Sequence, residues 1–239
     1  MTEVPELLRV GTDRFRIVPR HGDQRVALMS PLPGTVPPDA EAVRRCVALL
    51  RERGVTEVVT GALARVEVPA FAEAGFALRE HLHLLVHDLN VLPRPPATPG
   101  IRLRRARRSD RPDVLGVDGA AFDAFWHLDQ VALADALDAT PARRFRVAVD
   151  PSVVGYLVTG RSAGRGYLQR LGVDPAHQRR GIATALVLDG LGWLARHGAS
   201  QAIVNTQEHN TAALALYTRL GFRLEPHGLS VLARSTADL

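Results

Sequence analysis

Gln178-Arg179-Arg180-Gly181-Ile182-Ala183 lies between a strand-like run and a long helical pattern, and no other stretch constrains the fold as much. Before it, Tyr167-Leu168-Gln169-Arg170-Leu171-Gly172-Val173 alternates as a half-buried strand does, and Asp174-Pro175 ends the run. After it, Ile182 to His197 carries Ile182, Leu186 and Leu194 on one face and meets Gly198 as a stop. A glycine where loop becomes helix lets the backbone approach a phosphate, and the first-turn N–H groups have no partner inside the helix. The stretch therefore reads as a cradle for a diphosphate.

A second strand candidate, Gln201 to Thr206, leads into the alanine-rich amphipathic run Asn210-Thr211-Ala212-Ala213-Leu214-Ala215-Leu216-Tyr217-Thr218-Arg219-Leu220-Gly221-Phe222. Taken together, the two blocks resemble the GNAT superfamily of acyl-CoA-dependent N-acyltransferases, over about Ile101 to Arg234. The resemblance implies a mixed α/β (α+β) GNAT fold, a central mixed sheet flanked by helices, and acetyl-CoA as cosubstrate with no metal. It implies that the backbone of Leu171, Gly172 and Val173 bonds the pantetheine arm in place of a neighbouring strand. Gln178, Arg179, Arg180, Gly181, Ile182, Ala183 and Thr184 would line the pyrophosphate, Asn210 would bond the pantetheine arm, and Tyr217 would stand near the thioester sulfur.

In such a reaction an amine attacks the thioester carbonyl, and the departing thiolate gains from a hydroxyl able to donate a proton or hydrogen bond. Tyr217 supplies one; phenylalanine would pack there equally well but could not donate. The base is less defined. Relatives use a strand glutamate, whereas the corresponding positions here are Gln169 and Asn205, neither of which takes a proton at neutral pH. Glu208, His209, Asp118 and Asp123 are the candidates, directly or through water, with Glu208 taken as the catalytic choice; an acceptor arriving neutral would need no strong base. The segment Val114 to His127 would border the acceptor slot, and Ala121-Phe122 with Trp126 looks like the corresponding segment of the ribosomal-protein N-terminal acetyltransferases. Phe122, Trp126, Gln169 and Asn205 are therefore the expected substrate-binding residues, although apolar side chains at the spacing of Phe122, Phe125 and Trp126 more often pack inward.

At 239 residues the chain exceeds one compact acyltransferase domain by about a hundred, so two domains or one large extension are expected. Pro93-Arg94-Pro95-Pro96-Ala97-Thr98-Pro99-Gly100 reads as a stiff, extended linker. It divides a unit of residues 1–92 from a catalytic unit of residues 101–239. The first unit repeats the second in damaged form. Phe71, Gly75-Phe76, Leu78 and His81 align with Tyr217, Gly221-Phe222, Leu224 and His227 at an offset of 146, and a helix from about Ala40 to Arg53 ends at Gly54 as the later one ends at Gly198. Gly34-Thr35-Val36-Pro37-Pro38 replaces the phosphate loop, Ala64 replaces Asn210, and Phe71 replaces Tyr217. Two prolines remove two N–H donors, so the amino-terminal half is expected to be a degenerate GNAT-like unit that does not bind CoA in the usual way. Two such halves could pack like the subunits of a GNAT dimer, making a monomer sufficient, with a homodimer the other assembly.

Hydrophobic content of 46% with 23% charged residues describes a globular protein with a real core. No apolar run approaches the roughly 20 residues that span a bilayer, and Met1-Thr2-Glu3-Val4-Pro5-Glu6 lacks the segments of a signal peptide, so a cytoplasmic protein without a membrane partner is expected. Cys46 falls with Val43, Val47 and Leu50 on one helical face, which marks a buried thiol rather than a nucleophile. All 30 basic residues are arginine, and the net charge is +5. Arg102, Arg104, Arg105, Arg107, Arg108 and Arg111 invite a nucleic-acid reading. Ile101 to Arg104 nevertheless alternates like a strand with one wet face, Ser109-Asp110 with Pro112 looks like a helix start, and no aromatic residues interleave the arginines. Attraction of anionic CoA, or of an acidic acceptor, explains the charge as well.

Gly155 suggests a bulge or close approach in a strand, and Arg161 to Gly166 a hairpin loop. Pro141 to Arg144 reads as a turn before a strand at Phe145 to Val149. The functional expectation is an N-acetyltransferase moving acetyl from acetyl-CoA to a primary amine of a small molecule or peptide N-terminus, by direct attack without a covalent enzyme intermediate. The alternatives are a catalytically silent acyl-CoA sensor or scaffold and, with less support, a nucleic-acid binder.

Overall fold

The computed structural model describes residues 6–20, 23–32 and 36–238, and for residue 238 only the backbone. Gly34 and Thr35 of the aligned loop, and Met1 to Pro5, lie outside them. In chain order the elements are β1 (Glu6–Val10), β2 (Asp13–Arg20), β3 (Asp23–Pro31), α1 (Ala40–Glu52), β4 (Glu57–Thr60), α2 (Val68–Glu73) and β5 (Ala77–His87). There follow β6 (Arg102–Arg105), α3 (Arg111–Ala121), α4 (Gln130–Asp138), β7 (Ala142–Val149), β8 (Val153–Ser162) and β9 (Arg165–Val173). The chain closes with α5 (Ile182–Arg196), β10 (Gln201–Gln207), α6 (Thr211–Arg219), β11 (Arg223–Leu224) and β12 (Leu229–Ser235).

Two compact units result. One holds the described residues up to Leu84, Asn205–His209 and those from Glu225 on; the other holds Leu85–Val204 and Asn210–Leu224. In the first unit β1, β2 and β3 form an antiparallel meander, β3 pairs in parallel with β4, and β12 runs antiparallel between β4 and β5. The carboxyl-terminal strand thus completes the sheet of the amino-terminal unit. One face of α1, with Val43, Cys46, Val47 and Leu50 all at 0% exposure, packs with Phe15, Met29, Phe71 and Leu232. Burial pushes the Cys46 thiol up to about 12. Cys46 is therefore expected to resist iodoacetamide at pH 8 in the folded chain and to react once urea unfolds it, as mass spectrometry would show. Because the folded thiol holds its proton above the unfolded value of 9.0, its contribution to stability is full below pH 9 and falls between pH 9 and about 12.

The second unit repeats the same order. β7, β8 and β9 form an antiparallel meander, α5 follows, and β10 returns in parallel with β9, with β6 beyond β7 at the edge. Positions Val153 to Gly160 of β8 are all buried, as suits a strand covered on both faces. Leu157 meets α5 residues Leu186 and Leu191 in one core; Tyr156 and Val158 meet Val114 and Val117 of α3 and Leu133 and Leu137 of α4 in another. The β8–β9 connection is a two-residue hairpin turn with Ala163 and Gly164 at φ 46° and 75°, as the hairpin reading expects. Gly155 marks a close approach: a Cβ there would lie 3.2 Å from the Gly172 carbonyl oxygen and from Ile182 Cγ2. The turn expected at Pro141 to Arg144 is shorter than the sequence suggests. β7 starts at Ala142 because Ala142 to Arg144 pair with Gly160 and its neighbours on β8. Among the described residues no helix is long and apolar enough to cross a membrane.

Candidate functional site

The site is built where β9 ends and α5 begins. Asp174 caps the short 3-10 turn Pro175–His177 by accepting from Ala176 N at 2.8 Å, and Gln178 Nε2 donates back to the Val173 carbonyl at 3.3 Å. Arg179 and Gly181 then adopt left-handed backbone, φ 59° and 79°. The first helical bond runs from Ala185 N to Gly181 O, and no side chain caps the helix. Among the described residues, the six backbone N–H groups from Arg179 to Thr184 have no hydrogen-bond acceptor. Consecutive N–H groups around left-handed residues at a helix start are an anion-binding concavity, strengthened by the helix dipole. Arg180 is held by Asp150 at 2.9 Å, so its guanidinium is partly spoken for.

The aligned helix of the other unit is closed by its own residue. Asp39 caps α1, its carboxylate accepting from Ala42 N at 2.6 Å. Where α5 leaves its first turn open, α1 carries an internal anion.

β9 supplies the second feature. Its ladder with β10 covers only Arg165–Tyr167 against Gln201–Ile203, whereas its ladder with β8 continues to Val173. Leu171, Gly172 and Val173 therefore lie beyond the last β10 partner, and among the described residues one backbone edge there pairs with no strand. Gln169 is the extra residue of a β-bulge, since Arg170 pairs with Val158 and Leu168 with Thr159. Its Oε1 is buried without a hydrogen bond, and its amide lies 2.7 Å from where a Cβ on Gly160 would stand. A bulge re-aims the strand beyond it and is a recurrent companion of active sites.

Beside the bulge lies an ion-pair network that sequence spacing does not disclose. Asp118 on α3 is fully buried and receives Arg170 Nε and Nη2 at 2.8 and 2.9 Å, Leu128 N at 2.5 Å, and the Tyr156 hydroxyl. Arg170 also donates to the Trp126 carbonyl at 2.7 Å and stacks its guanidinium 3.5 Å over the Phe122 ring. Asp118 thereby holds Arg170, and through it Phe122 and Trp126, in place. Asp123 accepts from Phe125 N and Trp126 N. Phe122 and Trp126 are half-buried, next to β9.

Asn210 caps α6, its Oδ1 accepting from Ala213 N at 3.0 Å, which leaves the amide NH2 for a ligand. Tyr217 is 5% exposed, packs on Phe222 at 5.4 Å between ring centroids, and shares a core with Leu171 and Ala183. Burial pushes its hydroxyl well above the ordinary value, so it stays protonated across any working pH. Asn205 is exposed on β10, and Glu208 is exposed just after it, with its N–H donating to the His81 carbonyl. His209 Nδ1 lies 3.2 Å from Glu80 Oε1. Glu208, Asn205 and His209 belong to the first unit and the remaining candidates to the second. Among the described residues no group of three or more His, Cys, Asp or Glu could hold a metal ion.

This geometry, an uncapped helix start beside a strand that loses its partner, suits an extended anionic ligand. Residues 111–222 match the model of the acetyltransferase (GNAT) family. The mycothiol acetyltransferase of Gordonia bronchialis is 32% identical, the match covering 91% of this chain and 67% of that protein. That of Mycolicibacterium smegmatis is 30% identical over 91% of this chain and 84% of the other. The match to the mycothiol acetyltransferase of Amycolatopsis mediterranei, at 36% identity, spans 54% of this chain and about half, 48%, of that protein. Among solved structures, a GCN5-related N-acetyltransferase from Sphaerobacter thermophilus aligns with a TM-score of 0.63 at 17% identity, covering 94% of this chain and 76% of that one. A tandem GNAT protein from the clavulanic acid biosynthesis pathway aligns with a TM-score of 0.68 at 14% identity, covering 96% and 82%. The chain belongs to the acetyltransferase (GNAT) family, whose enzymes are acyl-CoA-dependent N-acetyltransferases, and its mixed α/β architecture is the GNAT fold.

Proposed function

We propose that this chain transfers an acetyl group from acetyl-CoA to a primary amine by direct attack, with the chemistry carried by residues 101–239 and a degenerate GNAT-like half in residues 1–92. The observation that carries this reading is the open entry into α5, where the six N–H groups from Arg179 to Thr184 have no acceptor among the described residues. Two left-handed residues, one of them Arg179, hold that turn at a conformational cost of order 1 kcal/mol for the non-glycine, which fits a binding loop better than a connector. Gln178 braces the loop, the free edge at Leu171, Gly172 and Val173 takes the pantetheine amides, and the Asn210 NH2 adds one bond to the same arm.

Tyr217 donates to the departing thiolate. Glu208 takes the ammonium proton directly or through water. Phe122 and Trp126, fixed by Arg170, wall the acceptor with Gln169. No metal enters the scheme. The mycothiol acetyltransferase relatives put a mycothiol-type amine first among acceptors to test, ahead of peptide N-termini. A cytoplasmic monomer with two GNAT-like halves is the working form.

Thiol release from acetyl-CoA over a panel of amines tests the reading. Tyr217→Phe is expected to lower kcat by about 100-fold with CoA affinity unchanged, the range of a lost general acid. A fall in affinity at unchanged kcat would remove Tyr217 from the chemistry, and no release with any amine would favour a silent acyl-CoA binder.

A further inference from the structure

Far along α5 from the cradle, the second unit carries a concave site that the acetyl-transfer reading does not use. Trp193 lines it, eleven residues after Ile182, or roughly 16 Å along a helix rising 1.5 Å per residue. The cavity measures about 490 Å³ and has Leu137, Phe145 and Trp193 in its lining. Its wall is almost wholly arginine. Arg105 ends β6, Arg107 and Arg108 lie in the link that follows, and Arg111 starts α3; Arg143, Arg144 and Arg146 come from β7.

Three carboxylates touch this group. Asp110 binds Arg104 behind the wall through two 2.7 Å bonds, Asp189 serves both Arg144 and Arg146, and Asp138 holds Arg143. Eight arginines therefore face three acids, and Arg105, Arg107, Arg108 and Arg111 form no ion pair among the described residues. Arg105 stands directly opposite Arg146 in the β6–β7 register, an arrangement that destabilises a ladder unless an anion intervenes. Arg146 Nε is buried, with Asp189 Oδ2 3.2 Å away but not aligned for a hydrogen bond, and desolvation pulls that guanidinium below its ordinary pKa, with Asp189 opposing the effect and neighbouring Arg144 adding to it.

We infer that this arginine-lined cavity is a second anion site, separate from the CoA cradle, which binds a small ligand bearing several linked phosphates. Guanidinium forks match phosphate oxygens in pairs, and cations converging on one cavity suit a compact oligophosphate better than the spaced phosphates of a duplex. The volume lies within the roughly 300–1,000 Å³ of small-molecule sites. The phosphates could belong to a free oligophosphate or to a nucleotide.

The test uses the full chain saturated with CoA, so that the cradle is filled, in a Trp126→Phe background that leaves Trp193 as the sole indole. Tripolyphosphate, ATP and adenosine are titrated by fluorescence and calorimetry. Tripolyphosphate is expected to bind one to one. ATP binding more tightly would name a nucleotide as the source and equal affinity a free oligophosphate, while adenosine alone should not bind. Arg105→Ala/Arg108→Ala is expected to weaken tripolyphosphate at least tenfold with CoA binding and melting temperature unchanged; if that pair fails to fold, Arg111→Ala carries the comparison. Gly181→Pro should spare tripolyphosphate binding, which separates the two sites. Absence of tripolyphosphate binding, full binding by the arginine variants, or tighter binding of duplex DNA than of tripolyphosphate would overturn the inference.

Discussion

Replacing Gly181 by proline is expected to weaken CoA binding by at least 100-fold, about 2.7 kcal/mol. Proline fixes φ near −65°, whereas Gly181 sits at +79°, and the ring also removes one of the six N–H groups of the cradle. Gly181→Ala separates the two causes. A Cβ there would meet Pro96 and Thr98 only at 3.5–3.6 Å, an ordinary contact, and the N–H survives. Alanine should cost about 1 kcal/mol of backbone strain and only a few-fold in affinity. Calorimetry on both variants checks this, and equal losses would mean that loop shape alone, not the donor, matters.

Asp118→Ala is expected to cost about 3–5 kcal/mol in a urea melt, a large part of the 5–15 kcal/mol typical of a domain. The substitution leaves Arg170 charged among buried groups, with the Tyr156 hydroxyl orphaned and Phe122 and Trp126 unanchored. Removing the pair together, as Asp118→Leu/Arg170→Met, should cost less than the single change, because no uncompensated charge remains. A double variant as unstable as Asp118→Ala would show that the network's value lies in its geometry.

Much of the second unit was legible from periodicity and punctuation. α5 and α6 begin and end within a residue or two of where Gly181, Gly198, Asn210 and Gly221 place them, because left-handed glycines and side-chain caps act locally. The apolar face of α1 and the burial of Cys46 follow the same logic. What sequence did not disclose depends on partners distant in the chain. The bulge at Gln169 exists only in register with Val158 and Thr159, and Asp118 looks like any helix carboxylate until Arg170, fifty-two residues later, closes on it. The β1–β3 meander and the seating of β12 between β4 and β5 are set by strand pairing that no local pattern announces. The cap on α1 was hidden differently. The aligned loop draws attention to its prolines, whereas Asp39, one residue beyond, is what occupies the helix start.

The central claim is that the amides of Arg179 to Thr184 hold the diphosphate of CoA. Amide-resolved NMR on the 15N-labelled chain, titrated with CoA, tests it most directly. The resonances of residues 179–184 are expected to shift downfield together, saturating with the same Kd as calorimetry gives. CoA binding that leaves those six amides unmoved, while others respond, would contradict the account.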